Sequence, residues 1–299
     1  MTWTELRRRG GDRVREGESL APYTTYRVGG EARALVVLAS RADLDEIGPA
    51  LVDLEVPWFV VGNGSNLVIA DGALDLVAVR LTGDFDRLEV RGEEAVVGAA
   101  MALPVAARQL SARGLTGFEW AVGVPGTVGG AVAMNAGGHG SDMGACVSAV
   151  EVWRAGAVEW WTPERWSPGY RTSAISAGDM VLGARLTLAE GDPDASRERL
   201  REIVTWRREH QPGGANAGSV FRNPPGDSAG RLIEAAGCKG WRRGGAVVSE
   251  KHANFIQVEP GGTASDLVEL IRAVREAVQS TSGVRLVTEN RFVGFAEAP

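Results

Sequence analysis

The chain is predicted to be an α+β protein of two domains. Short apolar runs of β-like composition are interleaved with a few capped helical stretches, which is the pattern of mixed strands and helices. At 299 residues and 44% hydrophobic content, it has the material for two buried cores. Its 40 glycines are concentrated at 62–64, 123–144 and 213–245, as backbone devices in loops are and flexible linkers are not.

After a short leader, residues 32–38 read as a strand, and Ser40 to Asp43 supply a capping box for a helix to about residue 54, which Pro57 ends. Residues 58–61 and 67–69 are short apolar strands on either side of a glycine turn. Further strands fit 76–80, 88–91 and 95–97. A helix over 104–113 then stops at Gly114, where a left-handed cap is expected. Strands at 147–153, 158–161 and 180–188 lead to the clearest break in pattern, GDPDAS at 191–196, which sets a domain boundary at residue 191. Beyond it, helices are expected over 196–209 and 228–236, with Gly237 past the second and Thr263 capping a third. Strands at 254–258, 285–287 and 292–295 complete a compact α+β unit.

Composition excludes several function classes. A formal net charge of −6 argues against the broad basic face that nucleic-acid binding needs. Cys146 and Cys238 are too few for a disulfide framework, and with three histidines a metal cluster has little support. No window approaches the roughly 18 consecutive apolar residues of a membrane span, so a cytoplasmic protein is expected.

Gly62-Asn63-Gly64-Ser65-Asn66 lacks a third glycine and runs on into a strand, so it fails the context of a dinucleotide fingerprint. It can still form an anion nest of backbone N–H groups with Ser65 and Asn66 as added donors, or be an ordinary tight turn. The run 123–130, GVPGTVGG, puts Gly123, Gly126 and Gly129 where a backbone must approach something closely, and Thr127 where a hydroxyl can face it. Packing of a helix on a sheet through small residues is the plainer alternative.

These runs, with YTTYRVGG at 23–30, resemble the FAD-binding domain of the UDP-N-acetylenolpyruvoylglucosamine reductase family. The resemblance continues in order through GYR at 169–171, AGSVFRNP at 217–224, GGAVVSEKHAN at 244–254 and VTE at 287–289, with no room for the extra tyrosine-bearing loop of the longer subclass. It implies a PCMH-type, vanillyl-alcohol-oxidase-like FAD domain at 1–191, in two subdomains split near 80, and a smaller substrate-binding domain at 192–299. It also implies noncovalent FAD, NADPH as co-substrate and a UDP-sugar substrate, with no metal and no obligate protein partner. The implied reaction reduces an enolpyruvyl ether to UDP-N-acetylmuramate for peptidoglycan: hydride reaches C3 from flavin N5, and a proton reaches C2.

Hydride addition pushes negative charge onto a carboxylate, so cationic or proton-donating groups must face it. The matching residues are Arg171 and Glu289, with Ser219 as proton donor; the acid must be protonated to sit beside a substrate carboxylate. Taken singly, Ser219 reads as a turn hydroxyl, Glu289 as a solvated acid and Arg171 as a surface ion pair. By the same matching His210, Arg222, Asn223 and His252 are substrate contacts, while Arg207 and Arg291 are positive charges beside the flavin. The sequence departs from the family where His210 and Arg222 stand for lysines and Asn290 for a valine. The competing readings are another FAD oxidoreductase of the same fold and a non-catalytic flavin- or nucleotide-binding regulator.

Overall fold

A computed structural model describes residues 3–297; Met1 and Thr2 of the expected leader, and Ala298 and Pro299, lie outside the described residues. The chain divides into two compact units, Met1–Glu16 with Ala34–Asn63 and Leu76–Arg207, and Gly17–Arg33 with Gly64–Asp75 and Arg208–Pro299. Each has its own apolar core.

The first unit is organised around a five-stranded antiparallel sheet. Its order is Ala157–Trp161, Val147–Arg154, Asp179–Thr187, Glu94–Gly98, Leu88–Arg91. The central strand, Asp179–Thr187, is buried at nearly every position, which is why it reads as an apolar run without alternation. A four-stranded sheet is built largely from this unit, in the order Val14–Ser19, Glu31–Leu38, Ala73–Leu81, Trp58–Val60. Helix Arg41–Val52 starts at the expected capping box: Ser40 Oγ accepts from Asp43 N–H at 3.1 Å, and Asp43 Oδ2 accepts from Ser40 N–H at 3.0 Å. It buries Leu44, Ile47 and Leu51 on one face. Helix Leu103–Ala112 ends before Gly114, whose φ of +77° is the expected left-handed cap.

Two expectations are corrected in this unit. The stretch before residue 14 is no mere leader: Trp3–Gly10 is helical and Leu6 is fully buried, a two-turn element too short to show its periodicity in sequence. The glycine-rich run does not stay a loop either. Residues Val128–Met134 form a helix that N-caps on Thr127, because alanine and valine follow the glycines.

The second unit packs helices Ala229–Ala235 and Ala264–Ser282 with a three-stranded sheet, Arg242–Arg243, Ala246–Val248 and Ile256–Val258. Ser228 caps the first helix, and Thr263 with Asp266 forms a capping box on the second. Strand Leu67–Ile69 runs parallel to Arg291–Val293, so its partner comes from the far end of the chain rather than from the strand before the glycine turn. The predicted strand at 285–287 does not form. Residues 285–287 take no regular structure: Val287 is exposed, and pairing with the neighbouring 220–222 segment stops at one isolated bridge, Phe221 with Thr288.

Among the described residues no helix is long and apolar enough to cross a membrane, and no group of three His, Cys, Asp or Glu side chains could hold a metal. Both cysteines are buried and unpaired, and burial pushes the Cys146 thiol up to about 12.

Candidate active site

In the first unit the two glycine motifs meet. A side-chain carbon at Gly62 would lie 2.6 Å from Thr127 Oγ1, so only glycine lets the first turn close on the second. Thr127 Oγ1 accepts from Gly130 N–H at 3.3 Å, starting helix Val128–Met134. At the end of this helix Asn135 takes a left-handed conformation, φ +42°, and is buried. Its amide donates to the Gly169 carbonyl at 2.9 Å and accepts from Gly144 N–H at 2.8 Å. Gly169 and Thr172 exchange two backbone hydrogen bonds around Tyr170 and Arg171. Arg171 is itself left-handed, φ +56°, and its Nη2 donates to Gly137 O at 2.9 Å. A continuous series of contacts therefore runs from Gly62 to the predicted catalytic arginine.

Gly126 has φ +119°, a conformation that suits glycine. At Gly123 and Gly129 the missing side chain is used by the protein itself. A carbon at Gly123 would meet His139 Nε2 at 2.6 Å, and one at Gly129 would meet Ala99 Cβ at 2.9 Å. Gly129 N–H is engaged by Ala99 O at 2.9 Å. Small-residue packing, the plainer alternative in sequence, thus accounts for these two glycines. Arg207 is half-buried in the same unit, and burial works against its charge. Asn63 belongs to this unit as well.

The second unit joins three distant motifs by backbone hydrogen bonds. Glu289 N–H donates to Val220 O at 2.7 Å, setting Glu289 directly beside the Gly218-Ser219 turn. Asn66 Nδ2 donates to Glu289 O at 3.2 Å, across 223 positions of sequence, and Asn66 O accepts from Arg291 N–H at 2.9 Å. The turn at Ser219 is fixed from the other side by Asn254, whose amide exchanges hydrogen bonds with Phe221 N–H and O at 3.0 and 2.8 Å, while its carbonyl accepts from Val220 N–H at 2.8 Å. Gly218 is left-handed at φ +73°, which turns the chain into Ser219. Gly64, at φ +59°, would place a side-chain carbon 2.2 Å from Tyr23 O, so the phosphate-type turn is pressed on the YTTYRVGG segment, and Ser65 follows it.

The expected substrate contacts divide. His252 Nδ1 accepts from Asn254 N–H at 3.2 Å, and its ring stands edge-on to Phe255 at 4.8 Å. Burial holds it below the ordinary imidazole value, and with Nδ1 accepting, a neutral ring carries its proton on Nε2. Arg222 is held by its backbone N–H on Val287 O at 2.9 Å. Asn223 is exposed, and its Oδ1 accepts from Ala229 N–H at 3.0 Å, serving the start of a helix. His210 is exposed at the end of helix Pro193–His210, and Arg291 is exposed on its strand.

Sequence reasoning passed over Asn135, Asn254 and His139. A left-handed asparagine cap after a short helix has a recognisable signal, and the pairing of Asn254 with the Ser219 turn has none. His139, whose flanking glycines suggest loop surface, packs between Gly123 and Trp206, edge-on to the indole at 5.1 Å.

One unit with these glycine approaches and a second that sets Glu289 next to the Ser219 turn are the parts of a flavin-dependent oxidoreductase. A family model described as "FAD binding domain" matches residues 32–158, and one described as "UDP-N-acetylenolpyruvoylglucosamine reductase, C-terminal domain" matches 210–293. The enzyme named UDP-N-acetylenolpyruvoylglucosamine reductase 2 of Symbiobacterium thermophilum is 41% identical over 94% of this chain and 92% of its own length. The reductase of Bacillus subtilis is 38% identical over 97% of each chain. The crystal structure of the Thermus caldophilus enzyme superposes with a TM-score of 0.83 at 38% identity, covering 94% of this chain and 99% of that one. The chain belongs to the UDP-N-acetylenolpyruvoylglucosamine reductase family.

Proposed function

We infer that this chain is an FAD-dependent enzyme that uses NADPH to reduce UDP-N-acetylglucosamine enolpyruvate to UDP-N-acetylmuramate, a step of peptidoglycan precursor synthesis. The observation that carries the residue roles is the Glu289 to Val220 hydrogen bond of 2.7 Å, which sets the acid and the Ser219 turn side by side. Family membership over nearly the whole chain supports the substrate.

The residues fit FAD. Gly62, Asn63, Gly64, Ser65 and Asn66 form a turn with a left-handed glycine at 64, the backbone of an anion nest suited to a pyrophosphate. In the second run Gly126 and Thr127 are the ligand-facing residues, and Gly123 and Gly129 provide the close packing on His139 and Ala99 that holds them in place. Arg207 and Arg291 supply positive charge to a reduced flavin. Neither glycine run contains a histidine or cysteine, so the cofactor is held noncovalently.

When bound, FAD would supply the two-electron hydride chemistry that links NADPH to C3 of the enolpyruvyl group. The Arg171 guanidinium stabilises the charge that grows on the substrate carboxylate, and its left-handed backbone with the Gly137 hydrogen bond keeps it oriented. Protonated Glu289 donates to the same enediolate. Ser219 Oγ gives its proton to C2 and is reprotonated from solvent. His210, Arg222, Asn223 and His252 contact the anionic substrate, His252 as an Nε2–H donor. Residues 1–191 serve chiefly the flavin, Arg171 excepted, and 192–299 chiefly the substrate, Arg207 and Arg291 excepted, a division in line with the family-model intervals 32–158 and 210–293. A nucleotide-sugar substrate and NADPH place the reaction in the cytoplasm.

An anaerobic absorbance experiment tests this. Purified protein should carry flavin bands that NADPH bleaches and that UDP-N-acetylglucosamine enolpyruvate restores. Flavin that binds but is not reoxidised by this substrate would favour another oxidoreductase or a regulator, and absence of flavin binding would defeat the assignment.

A further inference from the structure

We propose that Asn290 is a positioning residue that holds Asn66 and the Ser219 turn in register, an inference that rests on the reading of the turn at 64–66 as a flavin contact. Asn290 is 5% exposed, and its Nδ2 donates to Asn66 Oδ1 at 3.0 Å and reaches Ala217 O at 3.5 Å. Asn66 answers on its other end, with Nδ2 on the Glu289 carbonyl at 3.2 Å. The Asn66 amide is therefore gripped from opposite sides by two consecutive residues just ahead of strand Arg291–Val293 and can neither flip nor swing out. Because Ala217 leads into Gly218 and Ser219, one side chain ties the proposed flavin turn to the proposed proton donor and to the acid beside it.

The arrangement is not the one stability alone would select. Among the described residues Asn290 Oδ1 is buried with no hydrogen-bond partner. A buried acceptor left unmade is destabilising, and an apolar side chain at that place would remove the penalty. What the carboxamide adds is orientation of Asn66.

That combination separates a positioning role from a merely structural one. Asn290→Val deletes the unsatisfied oxygen, so the flavin-free protein should unfold at the same urea concentration as wild type or a higher one. Its FAD dissociation constant, measured by flavin fluorescence on titrating apoprotein, should nevertheless rise about fivefold, the loss of one neutral hydrogen bond. Asn66→Ala combined with Asn290→Val should bind FAD no more weakly than Asn66→Ala alone, because Asn290 acts through Asn66. Asn290→Ala replaces valine in the series if valine does not fold. Unchanged FAD affinity in the Asn290 variants, or affinity and stability falling together, or additive effects in the double variant, would overturn the proposal. Asn66→Ala that binds FAD like wild type would unseat the site reading beneath it, a result read from a different protein.

Discussion

Gly62→Ala is expected to fail for a reason that a second substitution repairs. The added carbon would stand 2.6 Å from Thr127 Oγ1 and 3.2 Å from its Cγ2, both closer than ordinary contact. Gly62 is not left-handed, so alanine meets no backbone strain and the penalty is one of overpacking, about 2 kcal/mol. Thr127→Ala removes both of those atoms and leaves Cβ at 3.5 Å, which is ordinary contact. It also removes the hydroxyl that caps helix Val128–Met134 through Gly130 N–H, at a cost of about 1 kcal/mol. Simple addition would make the double variant about 3 kcal/mol less stable than wild type. Relief of the clash should instead leave it about 1 kcal/mol less stable, close to Thr127→Ala alone. Urea unfolding of the four flavin-free proteins, followed by tryptophan fluorescence, measures this cycle. Additive losses would show that the glycine is not required by Thr127, and the contact between the two motifs would then have no part in shaping the cofactor turn.

Ser219→Ala should leave flavin reduction by NADPH nearly intact while slowing reoxidation by substrate by roughly two or more orders of magnitude, as loss of proton delivery requires. Equal losses in both half-reactions, measured by stopped-flow absorbance, would remove Ser219 from that role. Gly244→Ala should destabilise the second unit. Its φ of +48° disfavours a side chain, at about 1–2 kcal/mol, and the new carbon would meet Asp266 Oδ1 at 2.1 Å, displacing the capping box of helix Ala264–Ser282. Unfolding at the wild-type urea concentration would contradict this. Stability should also depend on the buried imidazoles. His139 is held below its ordinary value by burial and then by Arg199 and Arg207, and His252 by burial first. The unfolded chain therefore takes up protons before the folded one, so this stability is present above pH about 6.5 and is lost as pH falls through the lower folded values. The melting temperature should drop between about pH 7 and pH 5.5, and less so in His139→Asn, whose short amide tolerates the left-handed backbone at 139. Identical pH slopes for the two proteins would exclude His139 as a contributor.

Local signals in the sequence were reliable where a few adjacent residues settle the outcome. Ser40 with Asp43 and Thr263 with Asp266 announce helix starts because the capping bonds join residues three apart. Gly114 and Gly237 announce helix ends because only a left-handed residue closes the last turn cheaply. The strand expected at 285–287 failed for the complementary reason: a strand needs a sustained ladder with a distant partner, and here the pairing with 220–222 ends at one bridge, Phe221 with Thr288.

The site divides along the same line. The resemblance of the ordered motifs to the reductase family was enough to indicate a flavin-dependent reductase and to nominate Ser219, Glu289 and Arg171, which taken singly read as ordinary turn and surface residues. Nothing local indicated that Asn66 would grip the segment carrying Glu289 or that Asn254 would brace the Ser219 turn. Those contacts join segments 33 to 223 positions apart, and which groups meet there depends on the folded path of the whole chain. The sequence by itself determined the chemistry and its candidate residues; the tertiary structure alone decided which of them are held together and by what, since hydrogen bonds between distant residues exist only after the chain has closed on itself.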